Sequence, residues 1–299
     1  MLASALLASA LAFTPADSTN AFSVAAGLVA ECTPRDAGTA KGRAAARWLR
    51  ERIGKSGADA AIDVFTAPVP AGVAEFANVV VDFPSGGSDE WIVVMSHYDT
   101  APGIGAGFQG ANDGASTCGL LVALAGLIQK AGPEWRRFPV SLVFTDGEEK
   151  MLEYSANDGL QGSRRLAAFY KGHPTRKVRA AICIDMLGDR LLNITIPANG
   201  TPALKSLALR AASNAGVRKY VAPGNAAMHI IDDHQPFLDA GFPAIDIIDF
   251  SYGSAPGLKD YWHTPKDTID KVSSASLLKS GRLLAELLNL LQSVDVKTR

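Results

Sequence analysis

The chain has 299 residues, 47% of them hydrophobic, and a formal net charge of −1. That is enough apolar material for a full-sized core. The charges form no basic cluster dense enough to track phosphates, so no nucleic-acid partner is expected. No run reaches the roughly 18 apolar residues of a membrane span, so no stable insertion is expected after any leader is removed.

The chain opens on small apolar residues, with Ala10-Leu11-Ala12 as a signal-peptidase-type site. This reads as a leader over 1–16, followed by one catalytic domain over 17–299, exported to the periplasm or secreted. The three cysteines, Cys32, Cys118 and Cys183, cannot all pair. Cys118 and Cys183 lie in apolar contexts and read as buried thiols.

Helical spacing is expected over 21–31 and 39–53, and strands over 60–65, 77–83 and 91–96. A Gly-rich loop over 102–110 leads into a small-residue helix over 117–130. Then come a strand over 139–145, a helix over 163–170, and strands over 178–184 and 191–196. A helix over 202–215, a short helix over 233–240, a strand over 244–249 and a closing helix over 274–294 complete the pattern. Strands alternating with helices predict an α/β fold: three α/β/α layers around a mostly parallel, mixed sheet.

Three apolar strands end in metal-competent side chains: His97 and Asp99 after 91–95, Glu148 and Glu149 after 140–144, and Asp185 after 180–184. In open α/β sheets that end is where ligands bind. Buried like charges need a cation or a proton between them. Asp99 lies two positions beyond His97 and is placed to orient the imidazole. Asp113 reads either as a helix N-cap or as a ligand. The glycines at 103, 105, 107 and 110 lack the Lys-Ser/Thr of a phosphate loop and read as a wall beside the site. Trp262 beside His263 reads as a pocket wall. Together His97, Asp113, Glu149, Asp185 and His263 supply ligands for one or two zinc ions, leaving Glu148 as general base. His234 reads as an indirect support, and His173 as solvated.

The ordered set Ser96-His97-Tyr98-Asp99, Asn112-Asp113-Gly114-Ala115-Ser116, Asp146-Gly147-Glu148-Glu149, Ile184-Asp185-Met186 and Trp262-His263-Thr264 resembles the M28-type zinc aminopeptidase superfamily, over about residues 21–295. The stretch from Lys150 to Gln161 after the Glu pair, and Asp232-Asp233-His234-Gln235-Pro236-Phe237, are similar to its glutaminyl cyclase branch. The resemblance implies one zinc held by Asp113, Glu149 and His263, with Glu148 as acid/base. It implies that Asp185 and Asp232 form a hydrogen-bonded acidic network with Glu148, and that Trp262 and Tyr154 contact substrate. Tyr154 stands where animal cyclases have tryptophan, Asp246 where they have histidine, and Ser96 where they have the disulfide partner of Cys118. The implied activity is cyclisation of N-terminal glutamine of peptides to pyroglutamate by a monomeric enzyme. The rival is a dizinc aminopeptidase with His97 and Asp185 on a second ion bridged by Asp113. A non-catalytic binding domain is disfavoured, because no ligand or base is missing.

Overall fold

The computed structural model describes residues 10–294. In chain order it contains α1 (Pro15–Cys32), α2 (Ala40–Lys55), β1 (Ala61–Val69), β2 (Gly72–Phe83), β3 (Glu90–His97), α3 (Thr117–Ala131), β4 (Val140–Thr145), α4 (Gln161–Gly172), β5 (Lys177–Asp185), β6 (Ile194–Ile196), α5 (Pro202–Asn214), β7 (Val221–Pro223), α6 (Gln235–Asp239), β8 (Ala244–Ile248) and α7 (Ser274–Ser293).

Alternation along the central strands builds two cores. Ile92 and Val94 of β3, Leu142 of β4 and Ile182 of β5 face one, with α1, α2, α3, α5 and α7 over them. Trp91, Val93 and Met95, Val143, and Ala181 and Cys183 face the other, covered by α4 and α6. Successive residues of a strand point to opposite faces, so near-continuous apolar strands require cover on both sides. The result is the expected three-layer α/β architecture.

The sheet order is β1-β2-β4-β3-β5-β8-β6-β7. Strands β4, β3, β5 and β8 are parallel. Strand β2 runs antiparallel to β4, β1 to β2, and β6 to β8. The chain leaves β3 for β4 on one side and continues to β5 on the other. This order reversal opens a crevice at the carboxyl end of β3, where His97 pairs in register with Thr145.

The boundary expected at residue 16 falls inside ordered structure. Thr14 caps α1 in a reciprocal box with Asp17, and Pro15 takes the first turn. Leu11 and Phe13 are buried in the main core. The backbone of Leu11 exchanges two hydrogen bonds with the Asn289 side chain of α7. Phe13 packs so closely on α7 that a Cβ on Gly281 would lie 2.3 Å from its ring. Each of these side chains contributes about 2 kcal/mol by burial. The folded domain thus begins by Leu11, and residues 1–9 of the expected leader lie outside the described residues.

The helical stretch Ala111–Ala131 is long and apolar enough to cross a bilayer, and here it forms the core helix of the fold. Strand β7 was not expected from the sequence; it is three residues long and, among the described residues, pairs with β6 alone. The cysteines are free, with Cys118 and Cys183 buried.

Candidate metal centre and active site

The backbone places Asp113 by breaking a helix. Residues 111–116 form a single π-type turn, inside which Asp113 has ψ 93° and Gly114 has φ 89°. The break turns Asp113 away from an N-cap role and into the crevice. Asp267 holds the break in place: its carboxylate accepts from the backbone N–H of Asn112 at 2.8 Å and of Asp113 at 3.2 Å. Tyr252 donates its hydroxyl to Asp267 at 2.6 Å. From below, the fully buried Arg35 guanidinium donates to the carbonyls of Tyr98, Gln109 and Gly110. The Gly-rich wall is therefore tied down at its end by a cation.

The Glu148–Glu149 turn is fixed from three sides. Asp99 accepts from both backbone N–H groups, at 3.2 and 3.1 Å. Asp146 receives the Ala77 N–H, and Leu160, Gln161 and Gly162 donate to the carbonyls of Glu148, Gly147 and Asp146. Asp99 thus serves mainly the Glu pair. Its carboxylate is 3.7 Å from His97 Nδ1, whose hydrogen bond goes instead to the Asp99 carbonyl at 3.2 Å. Asp99 thus stands beside the imidazole as expected, through its carbonyl and its charge, and also serves the Glu pair.

The Lys150–Gln161 stretch folds around Asp158, which accepts from the N–H groups of Met151, Leu152 and Glu153. This brings Tyr154 over Gly159, where a Cβ would lie 2.5 Å from the ring. Tyr154 then donates its hydroxyl to Glu148 Oε1 at 2.9 Å.

These elements bring the candidate ligands together. His97 Nε2 lies 3.2 Å from Asp113 Oδ1 and 3.3 Å from Asp185 Oδ1. His263 Nε2 lies 3.5 Å from Asp113 Oδ2 and 3.1 Å from Glu149 Oε1. Asp113 thus turns one oxygen to each imidazole. His97, Asp113 and Glu149 present ligand atoms within 4.8 Å of one another. Asp113 Oδ2 and Glu149 Oε2 are buried without a hydrogen-bond partner. Two orphaned carboxylate oxygens, one on each of two acids whose side chains also meet His263, are what a divalent cation would satisfy, and the set fits one. Three non-glycine residues around the site, Leu160, Met186 and His263, hold left-handed φ between 51° and 57°. Such strain persists where the surroundings over-determine it.

The electrostatics of these groups follow from their burial and their mutual charges. Burial pushes Glu148 well above the ordinary glutamate range, and the Glu149 charge adds to it. Burial and Asp113 raise Glu149 to about 7. Burial opposes protonation of His263, but Glu149 and Asp113 outweigh it and lift the ring to about 9. Burial likewise opposes a charged His97, and Asp113, Asp185 and Asp99 overcome it, holding the ring well above its usual value.

The implied chain of hydrogen bonds from Glu148 through Asp185 to Asp232 takes a different form. Glu148 is bonded by Tyr154, and Asp185 Oδ1 meets His97. Asp232 accepts from the Cys183 thiol at 3.2 Å and from the Asp233 N–H. Asp232 reaches Glu148 through its field. Trp262 stacks on His263 with centroids 4.2 Å apart and meets Phe250 edge-on, half-buried at the rim. His234 is buried against Asn199, and among the described residues its side chain makes no hydrogen bond to the site, so any support it lends is indirect, as expected. His173 is exposed, as its loop context implied.

Sequence reasoning missed Asp267, Tyr252, Arg35 and Asp158. Asp267 stands three residues beyond Thr264 as a buried acid in a polar loop, and nothing local marks its distant partners.

Residues 78–288 match Peptidase family M28. A mouse glutaminyl-peptide cyclotransferase-like protein is 30% identical over 251 residues, which is 76% of this chain and 63% of that protein. The chain thus spans less than two thirds of that relative. A solved glutaminyl cyclase from an Acidobacteriales bacterium superposes with a TM-score of 0.85 at 34% identity, covering 95% of this chain and 96% of its own. A Zn-dependent exopeptidase from Parabacteroides distasonis superposes with a TM-score of 0.75 at 22% identity, a likeness of fold. With its metal-competent crevice at the sheet's switch point, the chain belongs to peptidase family M28 and resembles the glutaminyl cyclases within it.

Proposed function

We propose that this chain is a zinc-dependent glutaminyl-peptide cyclotransferase that converts N-terminal glutamine of peptides to pyroglutamate and releases ammonia. The observation that carries the reading is the 34% identity to a solved glutaminyl cyclase over nearly the whole of both chains. The site's chemistry is in keeping with it. Asp113, Glu149 and His263 would hold a single zinc, which when bound supplies Lewis-acid polarisation of the glutamine side-chain carbonyl.

The chain's own residues do the rest. Glu148, buried and raised in pKa, is the base that receives a proton from the substrate α-amine. The amine nitrogen bonds to the side-chain amide carbon, and the bond from that carbon to the amide nitrogen breaks. Glu148 returns the proton to the departing nitrogen, which leaves as ammonia. Tyr154 holds Glu148 through its 2.9 Å hydrogen bond and limits the rotamers of the base. Trp262 offers an apolar face for the glutamine side chain, and amine and amide within one residue meet without loss of translational entropy.

A second reading is a dizinc aminopeptidase, favoured by His97 Nε2 meeting both Asp113 Oδ1 and Asp185 Oδ1. Incubating zinc-loaded protein with Gln-initiated and Leu-initiated peptides separates the two. The proposal expects ammonia and an N-blocked product from the first and no change in the second. Free leucine would overturn it. An exported, monomeric enzyme remains part of the proposal, read from the sequence alone.

A further inference from the structure

Beside Tyr154, between α4 and α6, lies a cleft of about 440 Å3. Arg164, Ala167, Ala168 and Lys171 line it from α4, and Pro236 and Ala240 from α6. The spacing of the first four puts them on one face of the helix. The alanines leave room there, while Tyr170 and Phe237 bring the two helices together underneath. Tyr154 and Ile231 stand at one end of the cleft. Lys171 and Ala240 stand at the other, where they also line the next hollow.

The near end adjoins the base. Tyr154 reaches Glu148 Oε1 with its hydroxyl at 2.9 Å and also borders the cleft, so one side chain belongs to both. Ile231, at the same end, is 53% exposed although the two acids that follow it are buried. Neither Glu148 nor Trp262 lines the cleft, which sets it apart from the reaction centre.

The charges along it are uneven. Arg165 turns away and pairs with Asp63 at 3.2 Å. Arg164 has no carboxylate partner among the described residues; it donates to the Ser155 carbonyl at 2.7 Å, and its Nε is buried without an acceptor. Lys171 likewise has no carboxylate partner among them. The acid that lines the cleft, Asp239, already accepts from the Gln235 amide at 2.7 Å. From Arg164 to Lys171 the helix rises about 10 Å. An extended peptide rises about 3.3 Å per residue, so about three residues cover that distance.

A glutamine held with its α-amine at Glu148 must send the rest of its peptide out of the crevice. We propose that the α4–α6 cleft is a subsite for the substrate's own tail. It takes the residues that follow the glutamine and selects acidic side chains, which Arg164 and Lys171 meet. Which reaction the peptide then undergoes rests on the cyclase reading; the choice of tail does not.

The test uses zinc-loaded wild type and two charge reversals, Arg164→Glu and Lys171→Glu. Three C-terminally amidated substrates are compared: Gln-Ala, Gln-Ala-Glu-Glu and Gln-Ala-Lys-Lys. The readout is kcat/KM for each tetrapeptide divided by that for the dipeptide, so a general loss at the reaction centre cancels. Wild type should favour the acidic over the basic tail by roughly 10-fold, carried by KM, and about 0.5 M salt should shrink the preference. Each reversal should lower that preference by about 3-fold or more. Arg164→Glu also removes the bond to Ser155, whereas Lys171 is exposed and its reversal isolates the charge. Equal ratios for the two tails in wild type, or a preference that survives both reversals, overturns the proposal. Calorimetric binding of the same tetrapeptides to zinc-loaded Glu148→Gln needs no turnover. An acidic preference there, in a protein that cyclises nothing, counts against the cyclase reading alone. No preference there, in a protein that does cyclise, counts against the subsite alone.

Discussion

Two buried acidic clusters adjoin in this fold, and they differ in what answers their charge. The front cluster, Asp113, Glu149 and Asp185, meets two imidazoles, and Asp113 and Glu149 each leave one oxygen without a hydrogen-bond partner. The rear cluster, Asp232, Asp233 and Asp246, meets a thiol, a threonine hydroxyl and one another. Acids faced by ligand-type donors and a partly open rim are arranged for an ion. Acids sealed among hydroxyl and S–H donors are arranged for protons. The same density of carboxylates can thus serve opposite ends, and the neighbours decide which.

The widest separation between the clusters should come from Glu148→Gln. It removes the base and leaves the ligands, so turnover should fall by about 10²- to 10⁴-fold with zinc retained, as read by steady-state kinetics and metal analysis. Retained activity would dissolve the division of labour between Glu148 and Glu149. Next is Asp267→Asn, which replaces one acceptor at the backbone of Asp113. Zinc affinity, followed by chelator competition, should weaken by about 10- to 100-fold. An unchanged affinity would mean that the break at Asp113 is self-supporting.

Tyr154→Phe deletes the only side-chain hydrogen bond found on Glu148 among the described residues. A bond to a charged group is worth roughly 1.5–3 kcal/mol, so kcat/KM should drop by about 10-fold or more with metal affinity unchanged.

The smallest effect is a slope. Burial, with Asp232, raises Asp233 to about 7, whereas in the unfolded chain it titrates near the ordinary aspartate value of 3.8. Between these values the folded state holds a proton that the unfolded state has released. The contribution to stability is therefore full below about 3.8 and is lost as pH rises to about 7. Asp233→Asn should flatten the fall of Tm across that window, and an unaltered slope would show that Asp233 ionises normally in the fold.

The front cluster was largely legible in the sequence. Apolar runs that stop at His97, Glu148 and Asp185 mark strand ends, and strand ends of a parallel sheet share one rim. The three layers followed from strands alternating with helices along the chain. What could not be read was what depends on distant contacts. Asp267 acts on a backbone 155 positions away, and Arg35 on carbonyls 63 to 75 positions away. The start of α1 was legible and missed: Thr14-Pro15-Ala16-Asp17 is a capping box with proline at the first turn, obscured by the leader-like residues before it. Asp246 was visible as an acid inside an apolar strand, but its neighbours were not.

The most direct test is a crystal structure of the zinc-loaded protein with data at the zinc absorption edge. The expected anomalous peak lies within bonding distance of Asp113, Glu149 and His263, with Glu148 unbound and still held by Tyr154. A peak bonded to Glu148, or one centred on Cys183, Asp232 and Asp246, would contradict the assignment of the two clusters.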